Sequence, residues 1–504
     1  MTEGQTLSGR DLIGALSDSS GRAPVSYLVE WNGGGGALSF AGHALKAGVY
    51  YQLTAAQLSS LSYSAGSKVG TDSLLVAAYN GVSWSNFATD SISVKAPLPA
   101  PPAPPVPPPP PPLSGVAAIL AQIGDAGVKA DLTQQLSGTS LSYSGMLKIL
   151  QDASVGGMTA SKFSSLQTLD KLLNATGGIT MSPYVQQISD DVILGSSANA
   201  TWNGGAATAT ALGNLSATSS QTQSQELVGM WFLGANLPSA AGSGVDASTY
   251  QTSTLPLYGA SGAPNYLDVN QGENGDCYML AALGETALQN STAIQNMISS
   301  NGNGTYSIRF FVGGKADYVT VNEQLPVFSN SSYQWANGAR QIFANGAADN
   351  WVALVEKGFA ELNAQPGALV GNGAGAGNSY TKTAGGWGSI MQDITGQSVV
   401  DYSPTVGMSA AATSQMASTL ASAFQGRQEL FLGTSNNSQA TSANLVDDHL
   451  FMVTGVNAAA GTVTLHNPWS AAYSGPLAMN FTASLAQLAS AGCTLEATTG
   501  SPHA

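Results

Sequence analysis

Charge is what this chain has least of. Only 9% of its 504 residues are Asp, Glu, Lys or Arg, against about 25% in ordinary globular proteins. The deficit falls hardest on cations: 15 Lys and Arg face 29 Asp and Glu, for a net charge of −14. No basic run occurs, which argues against a nucleic-acid partner. Cysteine is rarer still: two residues give no disulfide framework. Only four histidines are present. Long apolar runs are missing too. Leu113–Ile123 is far shorter than the ~20 residues a membrane span needs. The N-terminus, Met1-Thr-Glu-Gly-Gln-Thr-Leu-Ser-Gly-Arg10, lacks the basic-then-apolar pattern of a signal peptide. The expected location is secreted or cell-surface without such a peptide, and otherwise cytoplasmic. Composition says nothing of oligomeric state.

What fills the chain instead divides it into segments, and its length suits several domains. Residues 96–112 are dominated by proline and end in an unbroken proline run from 107 to 112. This composition predicts an extended polyproline II rod, read first as a spacer and second as a ligand for a proline-recognising module. Residues 1–95 read as an all-β sandwich module. Val25–Trp31 and Ser73–Tyr79 alternate or run apolar, Asn80-Gly81 signals a tight turn, and Trp84 and Phe87 are expected in the core. The stretch Gly70–Phe87 resembles small β-sandwich modules of large bacterial surface and secreted proteins, which implies binding or spacing. Residues 113–245 read as a mainly helical domain. Three short helices are marked by Val116, Leu120 and Ile123, by Leu147, Ile149 and Leu150, and by Phe163, Leu166, Leu169 and Leu172. Met230–Pro238 is expected to dock as an apolar plug. A lid, a propeptide or a scaffold all suit this domain.

In the remaining segment, 246–504, one stretch carries chemistry: Gln271-Gly-Glu-Asn-Gly-Asp-Cys277-Tyr-Met-Leu. Cys277 sits at an expected helix start, where unpaired N–H groups and the helix dipole lower a thiol pKa. The Gln271 side-chain amide and the Cys277 backbone N–H are candidate donors for an oxyanion hole, as in papain-type thiol chemistry. Gly272 and Gly275 permit a tight path between them. The plainer alternative is a small buried core cysteine. Cys493, in a small-residue tail, reads as inert.

A second region supplies a base. Asp447-Asp-His449-Leu-Phe-Met-Val-Thr-Gly-Val456, a short Gly-ended link and Thr462-Val-Thr-Leu-His466-Asn467-Pro-Trp469 read as a β-hairpin. His449 and Asn467 lie an even number of residues apart, so antiparallel pairing can put both on one face. They are then directly opposite or diagonal neighbours, depending on the turn, and the Asn467 amide can orient the His449 ring. His466 has the other parity and is expected to point away. Trp469 is placed to shield the His–Asn bond from water. The alternative is a satisfied core histidine in an ordinary hairpin.

With these residues in view, the C-terminal half resembles the calpain family of cysteine proteases. Gln271-Gly-x-x-Gly-Asp-Cys277 resembles its nucleophile motif. Val319–Pro326, the helix Trp351-Val-Ala-Leu-Val-Glu-Lys357-Gly-Phe-Ala, Gly385–Gly396, the His449 run and Asn467-Pro-Trp469 follow in the family's order, across about 255–475. Tyr278 stands where the family usually has Trp, Asp448 where Gly is common, and Leu450 where a small residue is usual; these changes touch substrate preference. Asp447 and Asp448 are expected to favour imidazolium at His449, and through it a thiolate at Cys277. Val352, Val355 and Phe359 form an apolar stripe with Glu356 and Lys357 off it, which predicts a half-buried helix. Cys277, Leu280, Ala281 and Gly284 form a similar stripe, expected to pack on the sheet that carries His449.

The resemblance implies an α+β papain-like, calpain-like catalytic domain over 246–504, acting as an endopeptidase on protein or peptide substrates. Cys277, His449 and Asn467 are its triad and Gln271 an oxyanion donor. The chemistry needs no cofactor. The resemblance further implies calcium as a structural activator; its ligands are not placed on this chain, and no EF-hand loop occurs. Two alternatives stand: a catalytically inactive surface or adhesion protein with a protease-like domain, and an acyl transferase in which an amine replaces water on the same triad.

Overall fold

The computed structural model describes residues 5–13, 23–66, 68–95, 115–241, 249–259, 261–272, 274–327, 337–338, 349–365, 367–368, 375–386, 390–436, 444–469 and 477–500. The proline-rich segment 96–112, Glu273 and residues 387–389 of the Gly385–Gly396 block lie outside these. The chain divides into two compact units, Met1–Pro111 and Pro112–Ala504.

The first unit holds two four-stranded antiparallel sheets. One runs Thr6–Ser8, Leu61–Ala65, Gly36–Phe40, His43–Ala44; the other runs Tyr50–Thr54, Ser26–Trp31, Gly70–Tyr79, Ala88–Val94. Alternate residues of both sheets, including Val29, Leu38, Leu53, Tyr63, Leu74 and Val76, share one core, as period-2 side-chain alternation requires. Asp72 is buried within it. Burial pushes its carboxyl pKa up, but bonds from Tyr63 Oη (2.6 Å), the Gly35 and Gly36 N–H groups and Trp31 Nε1 outweigh this and hold it below the usual value. Trp84 and Phe87, expected in the core, are instead 42% and 48% exposed. The bend Asn80-Gly81, with Gly81 at φ 89°, folds Trp84 back onto Tyr79, and Phe87 rests against Tyr50.

The second unit begins with helices, six rather than three: Val116–Gln122, Ala126–Gln135, Tyr143–Ser154, Ala160–Leu172, Pro183–Ile193 and Gln221–Leu233. Polar caps at Asp125, Ser142, Thr159, Ser182 and Ser220 start five of them. Of the additional helices, Ala126–Gln135 and Gln221–Leu233 lack a strong apolar stripe, whereas Pro183–Ile193 carries a legible one, through Tyr184, Val185, Ile188 and Val192, that the sequence reading overlooks. Met230, Trp231 and Phe232 belong to the last helix and fill its core with Ile149, Leu166, Ile188 and Leu227.

This helical layer is bonded to a three-stranded antiparallel sheet, Ile298–Ser300, Thr305–Val312, Lys315–Asn322. Tyr184 Oη meets Thr320 Oγ1 at 2.8 Å, Gln187 Nε2 donates to Asp317 Oδ1 at 2.7 Å, and Asn322 Nδ2 donates to the Leu233 carbonyl at 3.2 Å. Trp351–Leu362 packs on the same sheet. At Gly358 a Cβ would come within 3.1 Å of Ile308 Cγ1, so glycine permits that approach. The expectation of a half-buried helix does not hold. Glu356 and Lys357 are buried as well, 1% and 0% exposed: Glu356 is hydrogen-bonded to Asp276, Lys357 is enclosed by Asn322 and Gln324, and Ala240 and Tyr380 pack on Ala360 of the same helix. Lys357 Nζ donates to Asn322 O, Asn322 Oδ1 and Gln324 O at 2.7–3.1 Å.

A six-stranded antiparallel sheet completes the unit, ordered Val399–Tyr402, Thr494–Thr498, Leu430–Gly433, Leu450–Asn457, Thr462–His466, Asn480–Ser484. Leu450 and Met452 join the core of helix Cys277–Gln289, while Phe451 and Val453 join that of helix Ala410–Gln425. Gly284 lets the first helix sit close: a Cβ there would meet Met452 Sδ at 2.3 Å.

Candidate active site

The segment Gln271–Asp276 feeds the helix that starts at Cys277. It is tied at both ends. The Gln271 N–H donates to the Pro468 carbonyl at 2.8 Å, which fixes it beside the hairpin. Asn274 Nδ2 donates to Asp276 Oδ2, the Tyr380 carbonyl and Thr383 Oγ1, all within 3.1 Å. Tyr278 is fully buried, and its hydroxyl donates to the Thr383 carbonyl at 2.7 Å; it anchors the loop rather than lining a substrate surface. Gly275 is not held in a left-handed conformation, and a Cβ there would make only ordinary contacts, the nearest being Ala384 Cβ at 3.6 Å. Asn274, which the motif does not single out, also ties this path in place.

Strands Leu450–Asn457 and Thr462–His466 form the hairpin, with Asn457 paired to Thr462 and Met452 to His466. A bulge between Val453 and Gly455 shifts the register by one residue. That shift decides the geometry. Continuing the register of the turn would put His449 and Asn467 on opposite faces, and the extra residue restores a common face. The two are diagonal neighbours, with His449 Nε2 and Asn467 Oδ1 2.9 Å apart. Asn467 Oδ1 also accepts the Trp469 N–H at 3.1 Å. Trp469 and Phe451 pack on the imidazole with ring centroids 5.2 and 4.8 Å away. His466 turns the other way, onto Asn480 Oδ1 (2.7 Å) and the Tyr266 ring.

Thr434 also holds the His449 backbone. Thr434 accepts the His449 N–H at 3.0 Å, and its own N–H donates to the His449 carbonyl at 2.9 Å. Asp448 lies at φ 49°, a left-handed conformation that favours glycine, which accounts for the residue usual there in the family.

Cys277 and His449 are 7% and 4% exposed, and Asn467 is wholly buried. The Leu450 backbone N–H sits against the thiol. No hydrogen bond joins Cys277 to His449 among the described residues. Burial pushes the thiol up to about 11; the Leu450 N–H opposes this and the Asp276 charge adds to it. Burial takes His449 down to about 4, against the hydrogen bond it donates to Asn467 Oδ1. The expected thiolate–imidazolium pair is therefore not the state described. Asp447 and Asp448 are not among the causes acting on His449, and desolvation outweighs the helix terminus at Cys277. Asp276 is buried; burial raises its carboxyl pKa, while hydrogen bonds from Glu356 and Asn274 oppose this. Gln271 Nε2 donates to the Asn274 carbonyl at 2.6 Å, which engages one of its two N–H groups.

Comparison with known proteins bears on the same stretch. Residues 256–482 match the family model described as calpain family cysteine protease; that stretch is a calpain family domain. The chain is 27% identical over 220 residues to the calpain-type cysteine protease ADL1 of Oryza sativa subsp. japonica, covering 42% of this chain and 9% of that protein. The calpain-type cysteine protease DEK1 of Zea mays matches with the same identity and coverage. Human calpain-9 is 31% identical over 121 residues, 22% of this chain and 16% of its own length. The chain thus spans about a tenth of the plant relatives it matches. No helix among the described residues is long and apolar enough to cross a membrane.

Proposed function

We propose that this chain is a calpain-like cysteine endopeptidase acting on protein or peptide substrates. Cys277 gives its proton to His449 and attacks the peptide carbonyl carbon, forming a tetrahedral intermediate. Gln271 and the Cys277 N–H stabilise its oxyanion. His449 protonates the leaving amine, and the resulting thioester is hydrolysed by water that His449 activates. Asn467 holds the ring in register. The observation that carries this reading is the His449 Nε2–Asn467 Oδ1 bond of 2.9 Å. It uses the nitrogen remote from the reaction and leaves Nδ1 for the thiol, which lies against the next residue, Leu450.

The second reading, an inactive protease-like surface protein, draws on the burial of Cys277 and His449 and the lack of a bond between them. The third, acyl transfer, uses the same residues with an amine as acceptor. One assay separates all three: cleavage of a quenched peptide by the full chain, with and without a primary amine, beside Cys277→Ala. Hydrolysis lost only in Cys277→Ala supports the endopeptidase. An amide product formed with the amine at the expense of hydrolysis supports transfer. Equal rates in parent and Cys277→Ala remove both.

The implied calcium is a separate matter. Among the described residues, no three His, Cys, Asp or Glu side chains stand where they can hold a metal ion. No step of the mechanism passes through the ion. Any calcium effect is assigned to residues 255–475 and is read from cleavage rate against free calcium. The β module of residues 1–95 is assigned a binding or spacing role, and residues 113–245 a scaffold role.

A further inference from the structure

The helical layer does more than cover the three-stranded sheet. Between them lies a cavity of about 440 Å³, within the size range of small-molecule sites. One wall is the N-terminal ends of helices Tyr143–Ser154 and Pro183–Ile193, with their caps Ser142 and Ser182; the facing strands supply Ser299 and Arg309. None of its lining residues belongs to the Gln271–Cys277 segment or to the hairpin 449–469.

Its charge is of one sign. Arg309 lines it and no carboxylate does. Among the described residues Arg309 has no ion-pair partner; the one ion pair found joins Lys148 to Asp152. Arg309 Nε is buried with no hydrogen-bond partner among the described residues. The guanidinium lies 5.1 Å from the Phe311 ring centroid, and the Arg309 side chain is half-buried. A buried donor left unpaired is costly, and a half-buried guanidinium with no carboxylate beside it in the cavity is placed to pair with an anion. The two helix ends add positive potential from the same side.

The rest of the wall mixes polar Asn296, Asn301 and Ser307 with apolar Leu141, Val185 and Met297, and two tyrosine rings give it a flat face. The Tyr143 and Tyr184 rings stack at 6.1 Å with an interplanar angle of 13°. Their hydroxyls are committed elsewhere, Tyr143 to the Phe232 carbonyl and Tyr184 to Thr320 Oγ1, so the rings are held as a fixed surface.

We propose that this cavity binds a small organic anion, whose carboxylate or phosphate pairs with Arg309 and whose apolar body rests on the tyrosine wall. A cation would meet only positive charge here, and a neutral apolar ligand would leave Arg309 unpaired.

Calorimetric titration of the full chain tests this, with benzoate, phenyl phosphate and inorganic phosphate at matched ionic strength. One of the two organic anions binds saturably at one site. Arg309→Gln weakens it at least ~10-fold, the loss expected for one charge-assisted contact. Ser299→Trp, a change at an exposed strand position that fills the cavity, abolishes it and serves if Arg309→Gln does not fold. Tighter phenyl phosphate identifies a phosphate ligand, and tighter benzoate a carboxylate. No saturable binding of either organic anion, or binding unchanged in Ser299→Trp, overturns the proposal. Inorganic phosphate binding as tightly as phenyl phosphate overturns the role of the tyrosine wall.

Discussion

Replacing Asn467 by alanine isolates the contact on which the site turns. Asn467 Oδ1 accepts from His449 Nε2 at 2.9 Å and from the Trp469 N–H at 3.1 Å, in a place with no exposure to water. Truncation leaves the imidazole donor buried without its acceptor, at a cost of about 1–3 kcal/mol. The loss is partly offset, because Asn467 Nδ2 is itself buried without a partner among the described residues. The net fall in stability should therefore be near the lower end, roughly 1 kcal/mol. Catalysis should suffer more. The ring keeps its contacts with Trp469 and Phe451 but loses the bond that fixes its tautomer. A loss of 1–3 kcal/mol in the transition state is roughly a 5- to 150-fold fall in kcat/KM. Asn467→Asp should behave differently. A carboxylate against Nε2 raises the His449 pKa, so the acid limb of the pH–rate profile should move to higher pH. The assay is kcat/KM on a quenched peptide from acid to mildly alkaline pH, paired with urea unfolding. If Asn467→Ala folds and cleaves like the parent across that range, Asn467 does not position the base.

Three further outcomes follow from the same geometry. His449 sits at about 4 when folded against roughly 6.5 when unfolded. The unfolded chain therefore takes up a proton first on acidification. Its contribution is full above the unfolded value and falls away between roughly pH 6.5 and 4, by up to about 3 kcal/mol; urea midpoints of His449→Ala should lose that slope. Lys357→Ala, which removes a buried cation from three acceptors, should cost about 3 kcal/mol or more, and Lys357→Met less, because it keeps the volume; equal unfolding midpoints for parent and Lys357→Ala would contradict the buried network. In the resting protein, with Cys277 raised to about 11, alkylation of that thiol should climb through pH 8 and beyond, and a plateau from pH 4 to 8 would reveal a standing thiolate instead.

Local pattern carried part of this molecule and missed part for definite reasons. The Cys277 helix, the hairpin and the even spacing of His449 and Asn467 were legible because each is a short-range signal. The bulge that makes the even spacing productive was not, since a register shift at Val453–Gly455 leaves no mark in alternation. Glu356 and Lys357 looked solvent-facing from their own helix. Partners distant in sequence, Asp276 for Glu356 and Asn322 and Gln324 for Lys357, meet them in the interior. Trp84 and Phe87 looked like core residues by type, yet a sharp turn at Asn80-Gly81 carries them outward. The direction of the Cys277 and His449 pKa shifts was misjudged because burial, a tertiary property, outweighs the helix terminus and neighbouring acids that sequence displays. Asn274, Thr383 and Thr434 went unseen because small polar residues are abundant in this chain and only their partners distinguish them.

The central claim is that Cys277 is the nucleophile, and it is tested most directly by active-site labelling. The full chain is treated with a thiol-directed epoxide, residual peptide cleavage is followed with time, and the adduct is mapped by mass spectrometry. The account predicts one adduct, on Cys277, with activity lost in step with its formation. Cys493→Ala should label and cleave like the parent, and His449→Ala should label slowly and cleave almost nothing. Full cleavage by a protein carrying the adduct on Cys277, or activity lost only when Cys493 is modified, would contradict it.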